Sequence, residues 1–100
     1  MNKEAQLLHL LGLAQRAGKL VSGEDQVLKK IQANQAQLVF LAQDAGPNLT
    51  KTIKDKSRFY KKVVCDQFTA SELSWAIGRQ RKVVAVVDSG FAKKMRSLMS

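Results

Sequence analysis

The sequence predicts a three-layer α/β/α sandwich around a mixed, mostly parallel four-stranded sheet. Helix-period apolar stripes alternate along the chain with short apolar runs, and two of those runs, Leu38 to Ala42 and Val83 to Val87, contain no polar residue. Each run is followed by turn or cap chemistry that opens another helix. A strand without a polar side has both faces covered, and helices that alternate with strands are the connections that cover them.

The elements follow in order. Leu7, Leu8, Leu11 and Ala14 form one apolar stripe at i, i+1, i+4 and i+7, with Asn2 and Glu4 suited to a helix N-terminus and Gly18 to its end. Leu20-Val21 suits a short edge strand. Ser22 and Asp25 match the S/T-x-x-D/E capping pattern ahead of Val27, Leu28 and Ile31, which predicts a second helix capped by Ser22. The run 38–42 is a central strand, and the Gly46-Pro47 turn opens a third helix. That helix turns Leu49 and Ile53 inward and Lys51, Lys54, Lys56 and Arg58 outward. Val63-Val64-Cys65 reads as a short strand. Thr69 and Glu72 form a second capping pattern, opening a short helix with Leu73, Ala76 and Ile77 that stops at Gly78. After the loop Arg79-Gln80-Arg81-Lys82 comes the strand 83–87. Asp88-Ser89-Gly90 then turns into a last helix carrying Phe91, Met95, Leu98 and Met99.

One hundred residues, 45% of them hydrophobic and only one a proline, predict a single domain over 1–100 that folds around its own core. The formal charge is +9, and it is uneven: residues 51–100 hold twelve basic and four acidic residues, whereas residues 1–50 hold five and four. A field of that sign selects a polyanionic partner, and nucleic acid gains affinity from each phosphate neutralised, through counterion release. A basic surface serving solubility alone is the alternative. The apolar stretch Leu10 to Ala14 is too short for a signal-peptide core or a membrane span, so the expectation is a cytoplasmic monomer with no membrane partner.

Catalytic residues are scarce. Cys65 is the only cysteine, which excludes an internal disulfide and a multi-cysteine zinc site, and its place on a strand predicts a buried, inert thiol. His9, the only histidine, lies in a Leu-rich helix as a surface or core-edge residue. Asp44 and Asp88 follow strands, where turn chemistry accounts for them. No metal-ligand spacing occurs, and Gly12 to Lys19 lacks the spacing, the Ser or Thr and the preceding strand of a phosphate loop. Trp75 suits packing of a short helix better than base stacking. The expectation is a chain with no cofactor, no metal and no enzymatic activity.

Two loops carry the candidate binding groups. Ser22, Gly23, Glu24, Asp25 and Gln26 form the first, opening the second helix and leading to Lys29 and Lys30; Gly78, Arg79, Gln80, Arg81 and Lys82 form the second, before the last strand. A helix N-terminus presents N–H groups and partial positive charge to phosphate, and Gln26 and Lys29 share a helical face from which they can reach base edges.

The stretches Gly23 with Val27-Leu28-Lys29-Lys30-Ile31, Ala36 to Ala45 with Pro47-Asn48, and Glu72 to Gly78 before a valine-rich strand resemble the kink-turn-binding ribosomal protein superfamily of the L7Ae and L30e type. Nearly the whole chain is similar to its bacterial YlxQ-like branch. The resemblance implies an α/β/α sandwich that docks on structured RNA with a kink-turn or kink-turn-like fold, with ribosomal RNA as target and ribosomal proteins as further partners. In that frame Gly23 starts the helix that enters the groove at sheared G·A pairs, and Lys29 matches the guanine-reading lysine. Asp25 and Gln26 stand where the family has an Asn-Glu pair, and Arg79 to Lys82 match the loop that clamps bulged nucleotides. A module for protein–protein interaction in ribosome or RNA-complex assembly is the alternative. DNA binding has no recognition-helix motif to support it.

Overall fold

The computed structural model describes residues 2–99. Its elements run α1 (Lys3–Arg16), β1 (Leu20–Ser22), α2 (Glu24–Gln32), β2 (Leu38–Leu41), α3 (Pro47–Phe59), β3 (Val64–Cys65), α4 (Ala70–Ile77), β4 (Val83–Val86) and α5 (Ser89–Ser97). Three of the five helix starts among the described residues are drawn by side chains that satisfy helix-end groups left without an intrahelical partner. Asn2 Oδ1 accepts from Ala5 N at 2.7 Å, and Asp88 Oδ2 accepts from Phe91 N at 2.8 Å. Thr69 and Glu72 form the expected reciprocal capping box, and Gly78 closes α4 in the left-handed conformation. Pro47 opens α3, where the missing N–H costs nothing.

The start of α2 differs from the expectation. Ser22 does not cap it: β1 continues through Ser22, which pairs with Val84, and Gly23 N donates to Val83 O at 3.0 Å. The cap is Gly23, at φ +90° and ψ 153°, with no side-chain hydrogen bond to the helix. Asp25 is therefore the second helical residue, with no capping role. The ladder to β4 claimed Ser22, and the turn into the helix then required a backbone that only glycine adopts readily.

The sheet order is β1-β4-β2-β3. β1, β2 and β3 run in one direction, as helix–strand alternation requires, and β4 runs against them between β1 and β2. The sheet is mixed, with three of its four strands in one direction as expected, and because the opposed strand lies between two of them, two of the three pairings are antiparallel. The reason lies in α4. Its first N–H (Ala70) donates to Asp44 Oδ1, just past the end of β2, and Lys82 O accepts from Ala42 N at the same place. The helix leaves and returns at one end of the sheet instead of crossing it, so β4 enters from the end at which β3 left.

Strand residues alternate between two cores. Leu38, Phe40, Val84 and Val86 face α1, α4 and α5, joining Leu7, Leu11, Leu73 and Met95. Val39, Leu41, Val83 and Ala85 face α2 and α3, joining Val27, Ile31 and Ile53. The result is the predicted α/β/α sandwich.

Gly12 is buried in α1 where α4 crosses it, and a Cβ there would sit 2.9 Å from the Ala76 carbonyl oxygen. Alanine gains about 1 kcal/mol over glycine inside an unobstructed helix. Forcing two helix backbones apart costs about 1–3 kcal/mol, so here the steric term wins. Gly12→Ala is expected to lower the urea unfolding midpoint, and an unchanged or higher midpoint would refute the close approach.

Candidate functional site

β1, β2 and β3 all end at the edge of the sheet where β4 begins, and open α/β sheets place ligand sites at that kind of edge. The two loops singled out in the sequence meet there. Gly23 and Glu24 from the start of α2, and Gln80, Arg81 and Lys82 from the loop before β4, line one cleft of about 570 Å³. Leu49 from α3 and Ala70, Ser71 and Ser74 from α4 complete the wall.

Arg81 joins the two loops. Its Nε donates to Ser22 Oγ at 3.1 Å, its Nη1 donates to Gln80 O at 2.7 Å, and its side chain passes over Gly23, where a Cβ would lie 3.8 Å from Nε. Ser74 fixes the backbone beneath it: Ser74 Oγ accepts from Arg81 N at 3.0 Å and lies 3.2 Å from Arg81 O, to which its hydroxyl donates. A guanidinium spends two donors on the protein in this arrangement and keeps others for a ligand. Glycine at position 23 is required by φ +90°.

The remaining candidates lie around this junction. Asp25 and Gln26 are exposed on the first turn of α2, whose N–H groups receive no side-chain cap. Glu24 and Asp25 set two carboxylates against that helix end, which suits the helix dipole and offsets part of the positive field an anion would meet. Lys29 is exposed one turn further along the face of Gln26. Lys30 is half-buried and donates to Gln35 Oε1 at 3.1 Å, toward the other end of α2 and away from the cleft. Gly78, Arg79 and Lys82 are exposed around the loop.

Ser22 falls in the first candidate loop but anchors Arg81 instead of capping a helix, and Ser74 carries no mark in the sequence, because nothing local identifies a serine that serves a residue 59 or 7 positions away. It also misjudged Trp75, which is 79% exposed instead of packed. The buried face of α4 is filled by Leu73 and Ile77, and Trp75 projects from the other side, one helical turn beyond Ser71.

The titratable residues flagged as chemical candidates have structural roles. Asp44 caps the start of α4 and Asp88 caps α5. His9 is exposed on α1. Cys65 is 4% exposed, and burial pushes its thiol above the usual range, opposite to the shift that activates a nucleophile. Among the described residues no cluster of three or more His, Cys, Asp or Glu side chains is placed to hold a metal ion, and no helix is long and apolar enough to cross a membrane.

Residues 5–96 match the model of the ribosomal protein L7Ae/L30e/S12e/Gadd45 family. Two curated relatives, each named RNA-binding protein YlxQ, are similar over most of their length. The one from Enterococcus faecium is 44% identical over 92 residues, 92% of this chain and 89% of the relative. The one from Bacillus subtilis is 47% identical over 91 residues, 90% and 91% of the two chains. Among solved structures, a protein of unknown function from Bacillus halodurans superposes with a TM-score of 0.90 at 42% identity, covering 95% of this chain and 97% of its own. The Giardia lamblia 15.5kD RNA binding protein shares the fold, with a TM-score of 0.80 at 18% identity over 96% of this chain and 89% of its own.

If Ser74 holds the loop, Ser74→Ala leaves Arg81 N and O without their side-chain partner. The expected cost is about 1–2 kcal/mol of stability, with faster amide exchange at Arg81. Wild-type exchange at that amide would show that the loop holds its shape without the serine.

Proposed function

The chain belongs to the ribosomal protein L7Ae/L30e/S12e/Gadd45 family, and from that premise we propose that it binds structured RNA in the cytoplasm, as one domain, without catalysing a reaction. The RNA is a kink-turn or a fold like it, within ribosomal RNA, and the contact surface is the start of α2 with the loop 78–82.

The observation that carries this reading is the Arg81 bridge. It holds the uncapped first turn of α2 and the basic loop as two walls of one cleft, with exposed Arg79, Lys82 and Lys29 around it. An irregular RNA offers the counterpart: phosphates for the cations and N–H groups, and unpaired or splayed bases for the cleft. The relatives' names support RNA as the partner.

Division of labour follows from chemistry. Lys29 donates to guanine O6 or N7, which the Asp25 carboxylate cannot do, and Gln26 can both donate and accept on the same face. Arg79 and Lys82 meet phosphates. Arg81 holds the two walls in register, so its loss damages the site's shape as well as its charge.

Trp75 is the only tryptophan, and it stands on the helix whose serines line the cleft, so its fluorescence reports on binding there. Lys29→Glu is expected to weaken binding about tenfold or more. Lys82→Glu is expected to weaken binding to all RNAs alike and to lower the slope of log affinity against log salt by about one. Titration with a kink-turn RNA, the same RNA with its G·A pairs disrupted, and a plain duplex tests specificity. Equal affinity for the three would reduce the interaction to general electrostatics, and wild-type binding by both variants would sink the site assignment.

A further inference from the structure

The positive charge that points to nucleic acid is not concentrated at the cleft. Residues 23–30 contain two acidic and two basic residues, and the loop 78–82 adds three basic ones. Residues 51–62, on α3 and the turn after it, contain six basic residues and one acidic residue, Asp55. The C-terminal end of α3 lies at the opposite end of the sheet from the cleft, because α3 carries the chain from the end of β2 back to the start of β3.

Three features mark that end of the molecule. First, Lys54, Ser57, Arg58 and Lys62, with Val64 and the acidic Asp66 opposite, line a second cleft, of about 350 Å³, between α3 and the edge strand β3. Ser57 is 1% exposed, and its hydroxyl has no hydrogen-bond partner among the described residues. A buried hydroxyl in a helix ordinarily bonds a carbonyl one turn back or another neighbour, so one left without a partner in the wall of a mainly cationic cleft is a polar group that an acceptor entering the cleft would satisfy after a small shift. Lys54 is partly neutralised by Asp66 at 3.2 Å and Arg58 weakly by Asp55 at 3.9 Å, both in exposed pairs; Lys62 donates to the neutral Asn34.

Second, Phe59 is 77% exposed beside Arg58, its ring held edge-on by Tyr60 at a centroid distance of 5.0 Å. Tyr60 in turn packs against the core on the α2/α3 face, so the exposed ring has a fixed support. Third, Lys61 adopts φ +59°, ending α3 where glycine is the favoured residue. Lys62 N donates to Ser57 O at 2.7 Å and closes the turn, which keeps a lysine in a conformation that its Cβ opposes.

We infer that the C-terminal end of α3 is a second RNA-contact surface, taking single-stranded RNA that passes round the helix end, with a phosphate in the Lys54–Ser57–Arg58–Lys62 cleft on one flank and an unpaired base stacked on Phe59 on the other. Cationic grooves with aromatic platforms are the common means of holding single strands, because every base has a π face and every linkage a phosphate. The greatest dimension of the molecule is 33 Å, so one RNA folded at the first cleft can reach the second with an adjoining strand. The inference rests on the proposed RNA-binding function, and adds to it that the protein holds a structured element and the strand leaving it.

Binding of a structured RNA, with and without an unpaired tail of about eight nucleotides, tests it, in wild type, Phe59→Ala and Lys61→Gly. Trp75 fluorescence reads the first cleft and affinity reads the whole. The tail is expected to tighten wild-type binding about tenfold, and Phe59→Ala to remove most of that gain while leaving tail-free RNA unaffected. Lys61→Gly separates binding from folding, since glycine suits φ +59°. Its melting temperature is expected at or above wild type, with the salt slope for the tailed RNA lowered by about 0.7. Wild-type binding of tail-free RNA with no gain from the tail, or equal gain in both variants, would overturn the second surface and leave the first intact. Failure of both RNAs to bind or to change Trp75 fluorescence would overturn both.

Discussion

β4 is hydrogen-bonded on both sides and covered on both faces, and the arrangement of the chain depends on meeting that requirement. It pairs antiparallel with β1 through Leu20–Ser22 and with β2 through Leu38–Leu41. Each of its four residues is buried, two against each core. A strand that central cannot be reached by a loose connection: unpaired backbone groups at its entry would be buried without partners. The entry is accordingly tied down. Lys82 O accepts from Ala42 N, Val83 O accepts from Gly23 N, and Ser74 holds both backbone groups of Arg81. The cleft is a by-product of these restraints, formed where the chain must be guided into the middle of the sheet.

The same restraints separate shape from charge. At the cleft the geometry is well determined and the charge modest, with Glu24 and Asp25 opposing the nearby cations. On α3 the reverse holds: the cations are dense and solvated, and their ion pairs are of the exposed kind that contribute little to stability. Asp55 shows this locally, its carboxyl held below the ordinary range chiefly by the hydrogen bond from Lys51, in a pair open to water. Lysines that add little to folding are available for a polyanion, which is where counterion release makes them count.

Potential reactive groups are absorbed by architecture. Two aspartates that follow strands act as helix caps, and the single cysteine is buried in the core that the sheet shares with α1, α4 and α5. Such uses follow from a fold with five helices and short connections, in which each helix start needs an acceptor and few side chains are near enough to supply one.

Periodicity and local cap chemistry were enough to read the order of elements, both doubly buried strands, the Thr69–Glu72 box and the two basic or polar loops as candidates, since each is decided by residues within a turn or two of one another. The family resemblance read from residues 23–78 is upheld by matches over most of the chain. What tertiary structure alone decided were matters of choice between equally satisfied local patterns. Ser22 could cap a helix or extend a strand, and the β4 ladder took it. Helix–strand alternation permits α4 to cross the sheet or to return to the end it left, and the bonds at Asp44 and Ala42 made it return, turning β4 against its neighbours. Trp75 could pack or project, and Leu73 and Ile77 had already filled the buried face. In each case the deciding partner lies far away in the chain, so no local window of sequence contains the interaction that settles it.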